Sequence, residues 1–481
     1  MKLLRLIILF CLLSLVACKS SVKLPQEGIN FYQKNNLKDV DLVPLFPFTN
    51  SNLEKYNDLT YDENKIPLLK YNDSLIYYPV QYTQVALHYY AKYYTSKNQE
   101  DKEVFLMQAK EIRNRLVVKE GFGVWECGVK ILPYNVETPF ASSMAQGFGL
   151  GVMIQAYALT KDQSYLLAAE HVVSSFDVMI SDGGIKSVWD TYPHYEEYAD
   201  PDSHVLNGYI FSLAGLYYYY QLVGSEKALR LYNEGIEALS VKIKDYDAGF
   251  SSFYSLITST GQYPYNSANG DNPDHYHELV IIQLIALYLW TENKVFYEYG
   301  YKFYQQRLSQ LDKSIPNKLK SIKASHTIVP ETHGTDNLMN NNWTFGNFWS
   351  TNKFPSELEL DFGTHRKDIT KLILYGAGDI GSLPDKFEIY VYNNDVWSIA
   401  NTDEDILRTH HTKFQTRHHK TYVIEYDLFG RFEGSKLKLK FLNSVGGESI
   451  ALRNINVFFN ERNEFNQLIE LVKEYEKDSF N

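Results

Sequence analysis

The chain has 481 residues, long enough for two domains, and its 47 Lys and Arg stand against 58 Asp and Glu, a formal net charge of -11. That balance argues against nucleic acid as a partner, and an acidic polymer would have to be met by locally placed cations. Of three cysteines, Cys11 and Cys18 lie near the N-terminus and Cys127 is alone in the body. An internal disulfide and a cysteine-rich metal site are therefore both excluded from the mature chain.

Lys2 and Arg5 precede an apolar run from Leu6 to Ala17, too short for a membrane span, which reads as a secretory signal. Its end, Leu15-Val16-Ala17-Cys18, resembles the bacterial lipobox. The resemblance implies that Cys18 is the lipidated first residue of a mature protein anchored to a membrane of the bacterial cell envelope, facing the periplasm or the outer-membrane surface. Residues 19–37 then read as a polar tether.

From Tyr82 to about Leu308 apolar residues recur at three- and four-residue spacing, in pairs of segments. The pairs are 81–96 with 100–116, 142–159 with 163–178, 205–223 with 226–241, and 276–290 with 295–308. Thr160-Lys161-Asp162, Gly224-Ser225 and Glu292-Asn293 are turn signals at the joints. The repeat predicts a multi-domain protein whose first unit, residues 38–313, is an incomplete (α/α) toroid of helical hairpins.

Chemistry-bearing residues concentrate between the pairs. Tyr195 to Asn207 packs tyrosines, carboxylates and a histidine into one loop, where Pro201 and Ser203 also fit a turn into a capped helix. The 39 tyrosines suit a carbohydrate handler, whose sugar faces stack on rings, although most rings belong in the core. Residues 75–92 (with Tyr78-Pro79 and Gln81), Ser143-Met144-Ala145-Gln146-Gly147, the 195–207 loop with Asn207-Gly208, Tyr246-Asp247-Ala248-Gly249 with Tyr254, and His275-Tyr276-His277 occur in the order seen in D-glucuronyl C5-epimerases. Over roughly 70–310 the chain resembles that family, which acts on heparosan and heparan sulfate.

The resemblance implies inversion at C5 of a uronic acid in an acidic, uronate-containing polysaccharide. Epimerisation removes a proton α to a carboxylate, so an acid and a base are needed on opposite ring faces, and no cofactor is required. Position by position, the motifs put catalytic residues at Tyr198, Tyr254, Tyr276 and Glu197, with Tyr198 and Glu197 serving one face and Tyr254 or Tyr276 the other. Substrate-binding positions follow at Tyr78, Gln81, Ser143, Met144, Gln146, Asn207 and His277, although a lone histidine entering a helix is more often structural. Before Tyr276 the chain reads Asp271-Asn272-Pro273-Asp274-His275 where the family carries an arginine and a tryptophan; Lys130 and Lys186 are the candidates to replace that carboxylate reader. A polysaccharide lyase, which starts with the same C5 proton, and a non-catalytic glycan-binding lipoprotein are the alternatives. A homodimer is compatible with each.

After about Ser314 short alternating runs follow: 358–362, 371–375, 387–392, 422–426, 437–441 and 455–459. With Asp336-Asn337-Leu338, Trp343 and Trp349-Ser350-Thr351 they resemble a discoidin-like (coagulation factor type C) β-sandwich or jelly roll over 314–460. Four histidines, 410, 411, 418 and 419, do not make a metal site, because adjacent residues of a strand face opposite ways. Residues 461–481 read as a closing amphipathic helix with Phe465, Leu468, Leu471 and Val472 inward.

Overall fold

The computed structural model describes residues 59–132, 134–247, 252–256, 274–310, 319–339, 346–377, 380–400, 407–415, 420–459 and 462–480. The signal, Cys18 and the tether lie outside these residues, as does the boundary between 313 and 314. Among the described residues no helix is long and apolar enough to cross a membrane.

A small antiparallel sheet comes first, β1 (Thr60–Tyr61), β2 (Pro67–Tyr71) and β3 (Ser74–Tyr77). Four helical hairpins follow: α1 (Pro79–Ser96) with α2 (Gln99–Asn114), α3 (Ser143–Thr160) with α4 (Gln163–Ser175), α5 (Leu206–Val223) with α6 (Glu226–Lys242), and α7 (Asp274–Thr291) with α8 (Lys294–Gln310). Short β-hairpins fill the gaps between them: β4 (Val117–Lys119) with β5 (Phe122–Val124), β6 (Glu126–Cys127) with β7 (Phe140–Ala141), and β8 (Lys186–Trp189) with β9 (Tyr192–Tyr195).

The hairpins turn by one device. Lys97, Lys161, Gly224 and Glu292 adopt positive φ at the first helix's end. The next residue, Asn98, Asp162, Ser225 or Asn293, accepts from the second helix's first free amides through its side chain. A left-handed residue closes the carbonyls and a polar cap closes the amides, each cap worth about 1 kcal/mol.

Helices α1, α3, α5 and α7 contact one another in sequence order, with their partners outside them. That arrangement explains why α3 and α5 are buried on nearly every side while α2 and α6 bury only a stripe. At the α3–α5 crossing Gly147 lies directly against Gly215, and a Cβ on either would strike the other helix's backbone.

The second unit comprises β10 (Ser321–Ala324), β11 (Trp349–Thr351), β12 (Ser356–Gly376), β13 (Phe387–Asn393), β14 (Val396–Ile399), β15 (Leu407–Gln415), β16 (Lys420–Phe441) and β17 (Ile450–Phe459). All belong to one eight-stranded antiparallel sheet. One continuous curled sheet therefore stands where two separately paired sheets were expected. The reason lies in β12, whose register against β16 shifts between Asp361 and Lys371, bending both long strands so that each serves both halves. Leu358, Leu360 and Phe362 with Leu437, Leu439 and Phe441 alternate inward around Trp349.

The β12–β17 pair is covered on both faces. Leu372, Leu374 and Val457 join the sheet's core, whereas Ile373, Tyr375 and Phe458 join the helical core. The final helix, α9 (Arg462–Phe480), also returns to the helical unit, and Phe465 sits among Tyr297, Tyr301 and Tyr304 of α8. Its inward stripe is Phe465, Leu468, Ile469 and Val472. Leu471, expected inward, is 37% exposed because it lies well off the line through 465, 468 and 472.

Candidate active site

Glu197, two residues beyond β9, is buried to 3% exposure, and its neighbours are tyrosines. The Tyr198 and Tyr254 hydroxyls lie 3.1 Å apart in a hydrogen bond. Tyr134 packs on the Tyr198 ring at 4.2 Å, and the Tyr254 and Tyr276 rings are 5.0 Å apart. Tyr78, at the mouth of α1, packs on the same cluster. Tyr276 is the most open, at 40% exposure.

Burial pushes the Glu197 carboxyl up to about 7, while hydrogen bonding from Tyr198 and Tyr254 draws it down. Its Oε2 has no hydrogen-bond partner among the described residues. Burial, then the Glu197 charge, raises the phenols of Tyr198, Tyr254 and Tyr276 above the ordinary value. These hydroxyls therefore stay protonated near neutrality and are donors.

The first turn of α5 is the floor of the cluster. Gly208 lies so close to Glu197 that a Cβ there would collide with the carboxylate. Leu206 N–H donates to the Tyr254 carbonyl at 2.9 Å, and Asn207 Oδ1 is buried without a partner among the described residues. Residues 252–256, which carry Tyr254, are stitched along their length: Phe253 N–H to the Tyr246 carbonyl, Leu256 N–H to the Ser203 carbonyl, and Tyr134 O–H to Ser255 Oγ.

Several residues expected to meet substrate are bonded within the fold. Ser143 is fully buried and donates its hydroxyl to the Tyr195 carbonyl and its N–H to the Glu196 carbonyl. Gln146 spends its amide on both backbone groups of Trp125 and on the Ser142 carbonyl. Met144 lies in the helical core. His277 is fully buried, donating Nε2–H to the Phe303 carbonyl at 3.0 Å and accepting Ser252 N–H on Nδ1 at 3.0 Å. It pins the segment carrying Tyr254 to the helix carrying Tyr276. Gln81 keeps a buried amide oxygen without a partner among the described residues.

The proposed cations do not enter the cluster. Lys130 is exposed, and Lys186 lies 4.0 Å from Asp177. Residues 257–273, just before Tyr276, lie outside the described residues.

Tyr134 joins the site without a distinct signal in the sequence, whereas Gly208 stands in the Asn207-Gly208 motif. Glu196 could have been singled out, since it stands between Tyr195 and Glu197 in the acidic loop. Fully buried, it accepts from Ser187 Oγ (2.5 Å), Ser203 Oγ (2.8 Å), His204 N–H (3.0 Å) and His204 Nδ1 (2.8 Å). Ser203 is thus no helix cap, and α5 starts behind Val205 without a side-chain cap. Burial raises the Glu196 carboxyl, but His194 and His204 outweigh it and hold it well below the usual carboxylate range. Donor atoms of His194, Glu196 and His204 lie within 4.8 Å of one another. Four protein donors already occupy the Glu196 oxygens, whereas His194 Nδ1, 3.2 Å from Glu196, is buried without a hydrogen-bond partner among the described residues. The side chains of His410 and His411 and all of His418 and His419 lie outside the described residues.

Residues 119–305 match the family model described as D-glucuronyl C5-epimerase C-terminus. All of the cluster except Tyr78 falls inside that span. The D-glucuronyl C5-epimerase of Caenorhabditis elegans is 34% identical over 128 residues, 24% of this chain and 21% of the nematode protein. An uncharacterized protein of Methanocaldococcus jannaschii is 27% identical over 211 residues, 43% of this chain and 62% of its own length. The chain thus spans about a fifth of one relative and under two thirds of the other. Among solved structures, the family 32 carbohydrate-binding module of C. perfringens NanJ is 15% identical, covering 29% of this chain and 92% of the module at a TM-score of 0.22. The family 32 module of Streptococcus pneumoniae EndoD gives 15%, 30%, 98% and 0.23.

Proposed function

We propose that the chain is a uronate C5-epimerase acting on a glucuronate-containing polysaccharide. The reading is carried by one observation: a buried glutamate with a free oxygen and a pKa of about 7 beside three phenols, within the region that matches the epimerase family model. A base removes the C5 proton, the electron pair spreads into the substrate carboxylate as an enolate, and an acid delivers a proton to C5 from the opposite face.

Glu197 is the base, because its pKa matches a neutral operating pH and the phenols stay protonated. Two hydroxyls 3.1 Å apart cannot flank a sugar ring, so Tyr198 and Tyr254 act together on the Glu197 side. Tyr276, the most open phenol, then gives the proton to the other face and is left as phenolate until it is reprotonated.

We also propose that the four hairpins form an incomplete (α/α) toroid whose mouth takes the sugar chain. Lipidation of Cys18 would hold the protein at the bacterial cell envelope. Cys18→Ala should release the protein from membranes with activity on soluble polymer unchanged, and a wild type that takes up no fatty-acid label sinks the anchor.

Incubation with several uronate polymers in deuterated water, followed by NMR, tests the chemistry. Deuterium at an inverted C5 supports the epimerase, whereas a new 4,5-double bond identifies a lyase. Neither product on any polymer leaves a glycan-binding protein.

A further inference from the structure

We propose that the His194–Glu196–His204 hub is the positioning device of this site, holding residue 204 in a left-handed conformation so that Glu197 and Tyr198 are set against the start of α5. The inference rests on the epimerase reading for its catalytic arm only.

His204 has φ +41°, a region that only a few per cent of non-glycine residues enter, asparagine, aspartate and histidine more often than the rest. Such strain persists only where the surroundings over-determine it. Here they do: the His204 N–H and ring nitrogen both bond Glu196, and its carbonyl accepts the Tyr246 hydroxyl at 2.9 Å. Its ring stacks on Trp189 at 4.5 Å and 14°. On the other side, His194 lies 3.2 Å from Glu196 and stacks on Tyr209 at 4.0 Å.

Glu196 thereby ties the start of the loop to its end. Between these ties, the Tyr198 carbonyl accepts Asp200 N–H at 2.7 Å and Asp200 Oδ2 accepts Asn135 N–H at 2.9 Å. The left-handed turn at 204 directs the chain into Val205 and α5, whose Gly208 faces the Glu197 carboxylate. Hub and base are consecutive residues, so rotation of one displaces the other. Among the described residues none of the three hub side chains bonds the hydroxyl of Tyr198 or Tyr254, and His194 Nε2 instead meets the Tyr246 hydroxyl at 3.5 Å, which makes them positioning residues and not catalytic ones.

The test compares His204→Ala with His204→Asn and Ser187→Ala in the full chain. Asparagine tolerates the left-handed region, and its Nδ2–H replaces the imidazole Nδ1–H toward Glu196. His204→Ala should raise amide hydrogen exchange in peptides covering 195–206 while α3 and α5 keep their protection. It should also lower kcat by about tenfold to a hundredfold, the cost of a misplacement near 1 Å, with KM within about twofold. His204→Asn should restore both, and Ser187→Ala should fall between. The proposal is overturned if His204→Ala leaves exchange and kcat at wild-type levels. It is equally overturned if His204→Asn is as impaired as His204→Ala, or if all three variants lose activity in proportion to melting temperature. A wild type that turns over no uronate polymer removes the epimerase reading alone, because the exchange measurement still decides the hub.

Discussion

On one side of the 195–204 loop Glu196 is fully buried and accepts from two serines, an imidazole and a backbone amide; on the other, Glu197 is almost as deeply buried and keeps an oxygen without a partner among the described residues. The two carboxylates follow one another just beyond β9 and meet different surroundings. One carboxyl is held far below the ordinary range and the other rises to about 7. Burial alone therefore does not decide the charge of a carboxylate; the donors that reach it do. The first arrangement makes an anchor and the second a base.

The largest effects should appear in turnover. Glu197→Gln, Tyr198→Phe, Tyr254→Phe and Tyr276→Phe should each lower inversion at least about a hundredfold, the low end of what a positioned acid or base contributes. Near-normal inversion in Glu197→Gln would remove it as the base. Near-normal inversion in both Tyr198→Phe and Tyr254→Phe would assign those rings to packing.

Next comes pH. A base must be ionised, so kcat/KM should rise about tenfold per unit up to a limb near 7 and level off above it. A limb near 4.5, the ordinary value, would mean that Glu197 is not the titrating group.

The smallest effects concern stability, and they should have opposite signs. Glu197 is raised in the folded state, so the stability it contributes is present below pH 4.5 and is lost as pH rises to about 7. Glu197→Gln should accordingly gain up to about 3 kcal/mol at pH 8 and almost nothing at pH 4. Glu196→Gln takes the charged acceptor away from four hydrogen bonds and should lose about 1.5–3 kcal/mol at pH 8, the worth of a hydrogen bond to a charged group. Urea unfolding of both variants at the two pH values checks this, and equal signs at pH 8 would erase the comparison.

Much of the hairpin array was legible because its signals are local. Lys161-Asp162, Gly224-Ser225 and Glu292-Asn293 each offer a left-handed residue followed by a polar cap, and all three joints lie where the sequence places them. The site was legible only by residue type. Ser143, Gln146 and His277 are polar residues in motif positions, and nothing in a sequence distinguishes a hydroxyl or imidazole aimed at a ligand from one bonded to a distant carbonyl. Tyr134 and Ser255 meet across 121 residues, beyond any spacing rule.

By itself, the sequence determined the periodicities: three- and four-residue spacing for the paired helices, alternation for the strands after residue 314, and an apolar stripe on the last helix. These follow from backbone geometry and from which side chains avoid water. Only the tertiary structure decided what each face meets. It curled the strands into a single sheet, returned Phe465 to the helical core, turned Tyr198 and Tyr254 to the same side, and separated Glu196 from Glu197. Those outcomes depend on contacts between residues far apart in the chain, where donors, rings and close backbone approach set the energy of each side chain.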